Sequence, residues 1–537
     1  MSQTWQEIAS SKREALRSSI PPEWVIPSAF RPPAEQTDMS KFIAQSGWFT
    51  EPEVDILSTP ASTLQLRLAQ GLITSEEVTL AFCKSASAAQ QLINPVTEIL
   101  FDEALATAKV LDEYLKVNGK PKGPLHGIPI SLKDNFNIKG KDSCLGFTSM
   151  VGKPAESNGP IAQLLLDAGA VLYVKTNVPP GMKRAETYNE VFGKTVNPMN
   201  SLWAVGGSSG GEGALISFGG SCLGVGSDLG GSCRIPAACG GLFTLRPSVG
   251  RWSISKNTVC TPGQDSIPAV PGPMARTLDD VIMFSKAFAD QAPWTYDPQC
   301  VPLKWQEVEP KSRLKLAVMW NDGLVAPTPP VQRALEGTVK TLKEAGHEII
   351  DWKVSAEDMQ DMADMSFSIF LADSGNWLKK VLEPTGEPVP PGMLWPMTGN
   401  PKTLIELQEL HVWRDNVRMK WLQKWNSFEG LDGVLIPTSP YGIPEHGKFK
   451  YANYTMLWNS IDYPASSFPS GYYVDKDLDK PYTNYTPLGS FDKTVHEEYN
   501  PAVCHGAPVS LQIVGRRLEE EKVLMMMKIV HEALSKA

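Results

Sequence analysis

Along most of this chain, stretches with apolar residues three or four positions apart alternate with short, continuous apolar runs. The first pattern is typical of helices, and it occurs at 104–119, 159–169 and 331–346. The second pattern is typical of buried strands, and it occurs at 171–176, 315–320, 347–352 and 432–440. Helices that alternate with strands predict an α/β fold with a largely parallel or mixed sheet.

The first 60 residues do not follow this pattern, because they mix charged residues with prolines at 21, 22, 27, 32 and 33. They predict an irregular arm with short helices at 1–60, followed by one large domain at 61–537. Two capping-box sequences, Ser62 to Gln65 and Thr74 to Glu77, predict the first helices of that domain. A stretch rich in Pro and Gly at 383–401, which contains Trp395, predicts a surface loop.

Composition excludes several classes of protein. The chain has 537 residues and a net charge of −9, and this acidic balance argues against nucleic-acid binding. No apolar run approaches the roughly 20 residues that a membrane span needs. The eight cysteines include no CxxC pair, so we expect no metal site. Eight cysteines in 537 residues are also too few for a disulfide scaffold. The N-terminus lacks the apolar core of a signal peptide, so we expect a cytoplasmic protein.

A cluster of glycine and serine at 206–211, GGSSGG, is the first candidate for chemistry. Gly206, Ser208 and Gly210 satisfy the G-x-S-x-G pattern of the α/β-hydrolase nucleophile elbow. That interpretation makes Ser208 the nucleophile and needs a preceding strand, which the sequence NPMNSLWAVGG hardly predicts. No dinucleotide fingerprint or phosphate-binding loop accompanies the glycines, so we expect no cofactor.

A second serine motif, SDLGGSCR at 227–234, carries its own candidate oxyanion hole. Gly230 and Gly231 allow the backbone to turn its N–H groups toward one point beside Ser232, where each donor contributes on the order of 3 kcal/mol to a transition state. Asp228 and Arg234 flank this turn, and we expect an ion pair between them to fix it.

A nucleophilic serine needs a base, and no histidine lies near this motif in the sequence. Lys133 follows the apolar run GIPISL at 127–132, and a short apolar run of this kind is typical of a buried strand. The reference pKa of lysine is about 10.4, so Lys133 acts as a base near neutral pH only if it is removed from water or placed beside positive charge.

Together these segments resemble the signature of the amidase signature family. The resemblance is carried by LHGIPISLKD at 125–134, TNVPPGMKRAETYNEVFGKTVNPMN at 176–200, the glycine- and serine-rich stretch at 206–237, and HGAPVSLQIVGRRLEEE at 505–521. It covers roughly residues 60 to 537, and the arm is most similar to the fungal acetamidase or general-amidase branch. The resemblance implies a large, twisted, mixed β-sheet with helices on both faces.

The resemblance also implies roles for named residues. Ser232 corresponds to the nucleophile, Ser208 to a bridging serine that follows a cis peptide bond from Gly207, and Lys133 to the base. The positions that correspond to oxyanion donors are the backbone amides of Leu229, Gly230, Gly231 and Ser232. Ser209 and Met182 correspond to supporting positions beside the triad and in the substrate pocket.

The family implies hydrolysis of a small-molecule amide through an acyl-enzyme, without a metal or cofactor and often as a homodimer. Three alternatives remain open on the sequence. They are a serine esterase of the α/β-hydrolase type that uses Ser208, a glutamine-amidase subunit that passes ammonia to a partner, and a non-catalytic relative. The sequence does not reveal which amide is the substrate.

Overall fold

The computed structural model describes residues 3–390, 393 and 399–536. Within these ranges the chain forms 18 α-helices and 13 β-strands. The helices are α1 Trp5–Ser18, α2 Phe42–Gln45, α3 Glu51–Ser58, α4 Ala61–Ala69, α5 Ser75–Ile93, α6 Phe101–Asn118, α7 Pro160–Asp167, α8 Gly210–Phe218, α9 Arg234–Gly240, α10 Leu278–Asp290, α11 Pro329–Glu344, α12 Ala356–Phe370, α13 Asn376–Leu382, α14 Leu404–Asn426, α15 Asn453–Ser460, α16 Ser490–Glu497, α17 Pro501–Cys504 and α18 Glu520–Lys536. The strands are β1 Val96–Ile99, β2 Pro129–Lys133, β3 Val171–Thr176, β4 Tyr188–Asn189, β5 Gly193–Lys194, β6 Leu223–Asp228, β7 Phe243–Arg246, β8 Val270–Ala275, β9 Lys315–Val318, β10 Glu348–Asp351, β11 Gly433–Pro437, β12 Ala465–Tyr473 and β13 Pro508–Val514.

The predicted α/β class is confirmed, and every helix and strand predicted from the apolar pattern is present. Local signals set several of the boundaries. The Thr74 side chain accepts from the backbone N–H of Glu77 in a capping box that starts α5. The capping box predicted at Ser62 is wrong, because α4 already begins at Ala61 and the backbone N–H of Ser62 donates to Asp280 instead.

Eleven strands form one mixed sheet in the order β1-β3-β2-β6-β8-β7-β12-β13-β11-β9-β10. Parallel pairing joins β2 to both β3 and β6, and joins β9 to both β10 and β11. The remaining pairs are antiparallel. Because β2 and β6 run side by side in the same direction, their carboxyl ends meet at one edge of the sheet.

Side chains that alternate along the central strands enter two separate hydrophobic cores. On β9, Leu316 and Val318 belong to one core, whereas Ala317 belongs to the other. Successive side chains of a strand point to opposite faces of a sheet, so each core covers one face. Met526 of α18 lies in the first core and Trp421 of α14 in the second, which puts helices on both faces.

The N-terminal arm is folded against the large domain. Lys12 of α1 forms ion pairs with Glu98 and with Asp142, the second at 2.8 Å, and all three side chains are largely buried. Arg13 donates to the backbone carbonyl oxygens of Glu190 and Val191 at 2.8 and 2.9 Å. The division of the chain at residue 60 stays a prediction, but the arm makes specific contacts with the rest of the fold.

Part of the segment at 383–401 packs inward, which differs from the predicted surface loop. Glu387 is only 4% exposed, and its carboxylate accepts from the backbone N–H of Thr148 at 2.8 Å and from the Thr148 hydroxyl at 2.6 Å. Met393 packs against a cluster that contains Leu145 and Phe147. Trp395 lies outside the described residues.

All eight cysteines are buried as free thiols, with no disulfide between them. In the part of the chain that the structure describes, no helix combines the length and the apolar character that crossing a membrane requires.

Candidate active site

Lys133 is the last residue of β2, and its side chain is completely buried. Its Nζ donates to the Ser208 hydroxyl at 2.7 Å, to the Ser227 hydroxyl at 2.9 Å and to the Ser227 carbonyl oxygen at 3.1 Å. The parallel pairing of β2 with β6 explains the second and third contacts, because it brings the ends of the two strands together. Burial lowers the pKa of Lys133 to about 8, so about a tenth of the amine is neutral at pH 7 and about half at pH 8.

Ser208 lies one residue before Ser209, the N-cap of α8, and the peptide bond between Gly207 and Ser208 is cis. The loop is packed so closely here that a Cβ on Gly207 would lie 2.5 Å from the Arg184 carbonyl oxygen and 2.6 Å from the Glu186 nitrogen. This approach of two backbones accounts for a glycine at 207. The structure therefore brings Lys133 and Ser208 into direct contact from positions 75 residues apart.

Ser232 lies in the turn between β6 and α9 and is partly exposed. Its carbonyl oxygen accepts from the backbone N–H of Ser209 at 3.1 Å, which joins this turn to the loop that carries Ser208. Among the described residues, the Ser232 hydroxyl has no hydrogen-bond partner within 3.5 Å. The structure thus places the three predicted residues in one neighbourhood. Lys133 contacts Ser208, whereas the Ser232 hydroxyl forms no hydrogen bond with the described residues.

The strand–turn–helix context favours Ser232 over Ser208 as a nucleophile. Ser232 follows β6 and precedes α9, whereas residues 198–207 form no strand beyond an isolated bridge at Trp203. A nucleophile elbow at Ser208 requires that missing strand.

The backbone amides of the turn divide into two groups. Within the described ranges, the backbone N–H groups of Leu229, Gly230 and Ser232 donate to no backbone or side-chain acceptor. Gly231 differs from the prediction, because its N–H donates to the Asp228 carboxylate at 2.7 Å. Three of the four predicted oxyanion donors are therefore available, and Gly231 instead holds the turn in place.

The predicted ion pair between Asp228 and Arg234 is present and completely buried. The guanidinium donates to both carboxylate oxygens at 3.0 Å, through Nε and through one terminal nitrogen. Burial by itself raises the pKa of Asp228, but the Arg234 charge and its hydrogen bonds hold that pKa well below the usual range. Asp228 is consequently a permanent anion that organises the turn around Ser232.

The two remaining predicted residues occupy flanking positions. The Ser209 hydroxyl lies 3.4 Å from both the carbonyl oxygen and the backbone nitrogen of Ser227, so its contacts here are with the backbone of β6. Met182 is partly buried and packs against the Leu145 and Phe147 cluster.

Several neighbours of the site were not identified from the sequence. Ser227 contacts Lys133, and Asn459 donates to the Asp228 carboxylate at 3.0 Å. Thr455 donates to the Gly230 carbonyl oxygen at 2.8 Å. Ser227 lies within the quoted serine motif and was available as a candidate, whereas Asn459 and Thr455 belong to α15, more than 220 residues away, and carry no motif.

Glu212 of α8 is a further buried acid near Lys133. It accepts from the Thr176 hydroxyl at 2.6 Å and also from the Ser131 hydroxyl. Burial raises the pKa of Glu212 to about 7, and these hydrogen bonds and the Lys133 charge oppose that shift. Within the described ranges, no three His, Cys, Asp or Glu side chains are grouped in a way that could hold a metal ion.

Comparison with known proteins gives consistent results at the levels of sequence and fold. Residues 77–524 match the family model described as Amidase. The chain is 38% identical to an acetamidase of Emericella nidulans and 37% identical to an acetamidase of Aspergillus oryzae, and each alignment covers 99% of both proteins. Among solved structures, a fatty acid amide hydrolase is 33% identical with a TM-score of 0.93, covering 98% of this chain and 94% of the other. A bacterial aryl acylamidase shares the fold at 21% identity, with a TM-score of 0.72 over 88% of this chain and 96% of the other.

Proposed function

This chain belongs to the amidase signature family and is an amidase, and we propose that it hydrolyses small carboxylic amides through an acyl-enzyme on Ser232. The observation that carries this mechanism is the 2.7 Å contact between the buried amine of Lys133 and the hydroxyl of Ser208. An amine with a pKa of about 8 supplies a base, and among the described residues no histidine forms a hydrogen bond with the side chain of Ser208 or Ser232.

In the first step, neutral Lys133 accepts the proton of Ser208 while Ser208 accepts the proton of Ser232. The Ser232 oxygen forms a bond to the amide carbonyl carbon, and the carbonyl π electrons move to its oxygen. The available amides of Leu229, Gly230 and Ser232 donate to that developing oxyanion.

In the second step, the tetrahedral intermediate collapses and the C–N bond breaks. The proton on Lys133 returns through Ser208 to the leaving nitrogen, because an amide nitrogen must be protonated before it departs. Ammonia or an amine leaves, and the acyl group stays on Ser232. Water then attacks the ester with the same two residues as base, which releases the acid and restores the hydroxyl.

The small size proposed for the substrate rests on the acetamidases that match the chain from end to end. The buried free thiols fit a reducing compartment, so cytoplasmic location is also part of the proposal, as is a homodimer.

Replacement of Ser232 by alanine tests the proposal. We expect S232A to lose about 10⁴-fold or more in kcat with acetamide, because the nucleophile is removed. Loss of labelling by a fluorophosphonate serine probe, with mass spectrometry of the wild-type adduct on Ser232, checks the same assignment independently. S58A, at an exposed serine in α3, is the control and retains full activity. An S232A enzyme that keeps most of its activity contradicts the mechanism and favours an esterase-type site at Ser208.

A further inference from the structure

Glu212 is a buried acid that the proposed mechanism does not use. It lies in the first turn of α8, shortly after Ser208, and its side chain is completely buried. Its carboxyl group contacts the Ser131 hydroxyl on β2, and an added Cβ on Gly224 of β6 would overlap Oε1. Removal of an unpaired charge from water is costly, so the protonation of this carboxyl group matters for the site.

The contacts of Glu212 connect α8 to the strand of Lys133. Ser131 lies two residues before Lys133 on β2, so both side chains point to the same face of the sheet. Thr176, which donates to Oε2 of Glu212 at 2.6 Å, pairs with Lys133 in the register of β2 and β3. One carboxyl group therefore joins the helix that follows Ser208 to two positions beside the lysine.

The number of hydrogens around Glu212 indicates a protonated carboxyl group. Oε1 contacts the Ser131 hydroxyl, which lies 2.9 Å from the Ser221 hydroxyl. The Ser221 hydroxyl in turn lies 2.9 Å from the Leu223 carbonyl oxygen. These three contacts need three hydrogens, but the two serines supply only two. A proton on Glu212 supplies the third, and the first bond then runs from Glu212 to Ser131.

The charges around Glu212 favour the same form. Glu212 faces two titratable groups, Lys133 on β2 and Tyr173 on β3, and the Tyr173 hydroxyl donates to a backbone carbonyl oxygen at 2.6 Å. Burial raises the pKa of Glu212, whereas its hydrogen bonds and the Lys133 charge oppose that shift. Lys133 is neutral when it accepts a proton from Ser208, so its opposition is absent in the working form and Glu212 keeps its proton more firmly.

A neutral Glu212 also helps Lys133 to act as a base. Burial lowers the pKa of Lys133, and the groups whose charges oppose this shift are Cys233, Asp228, Cys260 and Glu212. Burial raises the pKa of Cys233, so its thiol stays neutral, whereas Asp228 is a permanent anion. Protonation of Glu212 removes a second negative charge beside the amine, and the amine then releases its proton more easily.

We infer that Glu212 is a neutral carboxylic acid in the working enzyme and a positioning residue for the reaction. Its O–H group donates to Ser131 and its other oxygen accepts from Thr176, which holds the first turn of α8, and with it Ser208, in contact with Lys133. Glu212 thus acts through the two proton-transferring residues and not on the substrate. The inference rests on the proposed function, since it concerns the same pair of residues.

Two substitutions separate a neutral acid from an anion. In E212Q, the side-chain amide can donate to Ser131 and accept from Thr176, so we expect kcat for acetamide to stay within about threefold of the wild-type value. E212M has similar length but neither donor nor acceptor, and we expect kcat to fall about 30- to 100-fold while KM changes by less than about threefold. E103Q and E103M are the matched controls and leave kcat unchanged, because Glu103 also lies in the first turn of a helix but its side chain is 59% exposed.

The pH profile of E212Q gives a readout that a purely structural role would not move. If Glu212 is neutral, the midpoint of the rise in kcat/KM stays within about 0.3 pH unit of the wild-type midpoint. If it is an anion, E212Q removes a negative charge beside Lys133, and the midpoint moves down by about one pH unit or more, which overturns the inference.

Infrared spectroscopy tests the proton directly. At the pH of half-maximal rate, the difference spectrum between wild type and E212Q should contain the carbonyl stretching band of a protonated carboxyl group, and this band should move to lower frequency in D2O. A difference spectrum with carboxylate bands alone overturns the inference.

The remaining outcomes are also decisive. Wild-type kcat in E212M removes the positioning role, and an equal loss of kcat in E212Q and E212M shows that the charge is needed; either result overturns the inference. If E212M does not fold, S131A takes its place, because it removes the acceptor of the Glu212 O–H group and should lower kcat about tenfold. An unchanged kcat in S131A contradicts the inference.

Failure of the proposed function gives a different result, because S232A then stays active whatever stands at position 212. An inactive S232A together with wild-type rates in E212M removes only the role of Glu212.

Discussion

At the scale of single residues, Lys133 shows how burial changes the chemistry of a side chain. Its ammonium form has no solvent contact, and its hydrogen-bond partners are two hydroxyls and one carbonyl oxygen. Desolvation disfavours the charged form, so the amine releases its proton well below the pH at which an exposed lysine does. The same residue that would be a solvated cation at the surface thereby becomes a base.

The pH dependence of the rate follows from this shift. Below the pKa of about 8, Lys133 is protonated and cannot accept a proton from Ser208. We expect kcat/KM for acetamide to rise about tenfold per pH unit from about pH 6 and to level off above about pH 8.5. A pH–rate profile of the wild-type enzyme measures this rise.

A variant of Glu212 is the control for that profile. Burial raises the pKa of Glu212 to about 7, so titration of this carboxyl would fall in the same pH range as the expected rise in kcat/KM. E212Q removes the titrating carboxyl and should keep the rise. A rate that is flat or that falls with pH in both proteins contradicts a lysine base.

Individual contacts show what the sequence could and could not predict. The pair of Asp228 and Arg234 was predictable because both residues flank one short turn. The contact between Lys133 and Ser208 joins segments 75 residues apart, and only the resemblance to a family placed them together. The use of the Gly231 N–H by Asp228 depends on turn geometry that residue types do not encode. Asn459 and Thr455 reach the site through tertiary packing of α15, for which the sequence has no local signal.

At the scale of elements, the turn from β6 to α9 is held by one buried carboxylate. Asp228 accepts from the N–H of Gly231 at 2.7 Å, from the N–H of Cys233 at 3.2 Å and from the Arg234 guanidinium. The open amides and the hydroxyl of Ser232 keep their orientation because this carboxylate fixes the backbone between them.

Removal of that carboxylate should destabilise the whole fold. D228A leaves the buried Arg234 charge without its counter-ion, so we expect the free energy of unfolding to fall by about 3–5 kcal/mol. Chemical denaturation measures the change. D55A is the control, since Asp55 pairs with Arg67 while its side chain is 59% exposed, and its cost should stay within about 0.5 kcal/mol. Equal effects of the two substitutions would show that Asp228 is not a structural anchor.

The loop before α8 depends on close backbone packing at Gly207. In G207A, the new methyl group would meet the Arg184 carbonyl oxygen, and the loop that carries Ser208 must move. We expect a loss of about 1–3 kcal/mol in stability and about 100-fold in kcat, because small displacements of reacting groups are costly. G489A is the control: Gly489 has an extended backbone with no atom within 4 Å of an added Cβ. Wild-type activity in G207A would contradict the proposed position of Ser208.

The elements themselves were largely predictable. Strands β3, β9, β10 and β11 are short apolar runs, and α6, α7 and α11 have a clear apolar stripe, so local pattern and burial agree. The order of strands in the sheet was not predictable, because it depends on contacts between distant segments.

At the scale of the whole molecule, the arm and the domain are joined by a buried charge cluster. Lys12 lies between Glu98 of β1 and Asp142, and these acids raise the pKa of Lys12 even though burial lowers it. The cluster links the first helix to the edge strand of the large sheet.

Loss of the Lys12 ammonium should therefore affect more than the arm. K12M leaves two largely buried carboxylates unpaired, and we expect the free energy of unfolding to fall by about 3 kcal/mol. A single cooperative transition, seen by both tryptophan fluorescence and circular dichroism, would show that arm and domain unfold together. K116M, at a lysine whose side chain is 78% exposed, should leave stability unchanged. An early separate transition of the arm in the wild type would contradict this coupling.

The burial of all eight thiols also makes the native enzyme a convenient host for optical probes. A maleimide dye reacts with an accessible thiolate, so a cysteine introduced at an exposed site such as Gly489 would be labelled ahead of the native ones. Two such dyes, one on the arm and one near α13, would report distances by fluorescence energy transfer while the natural cysteines stay in place.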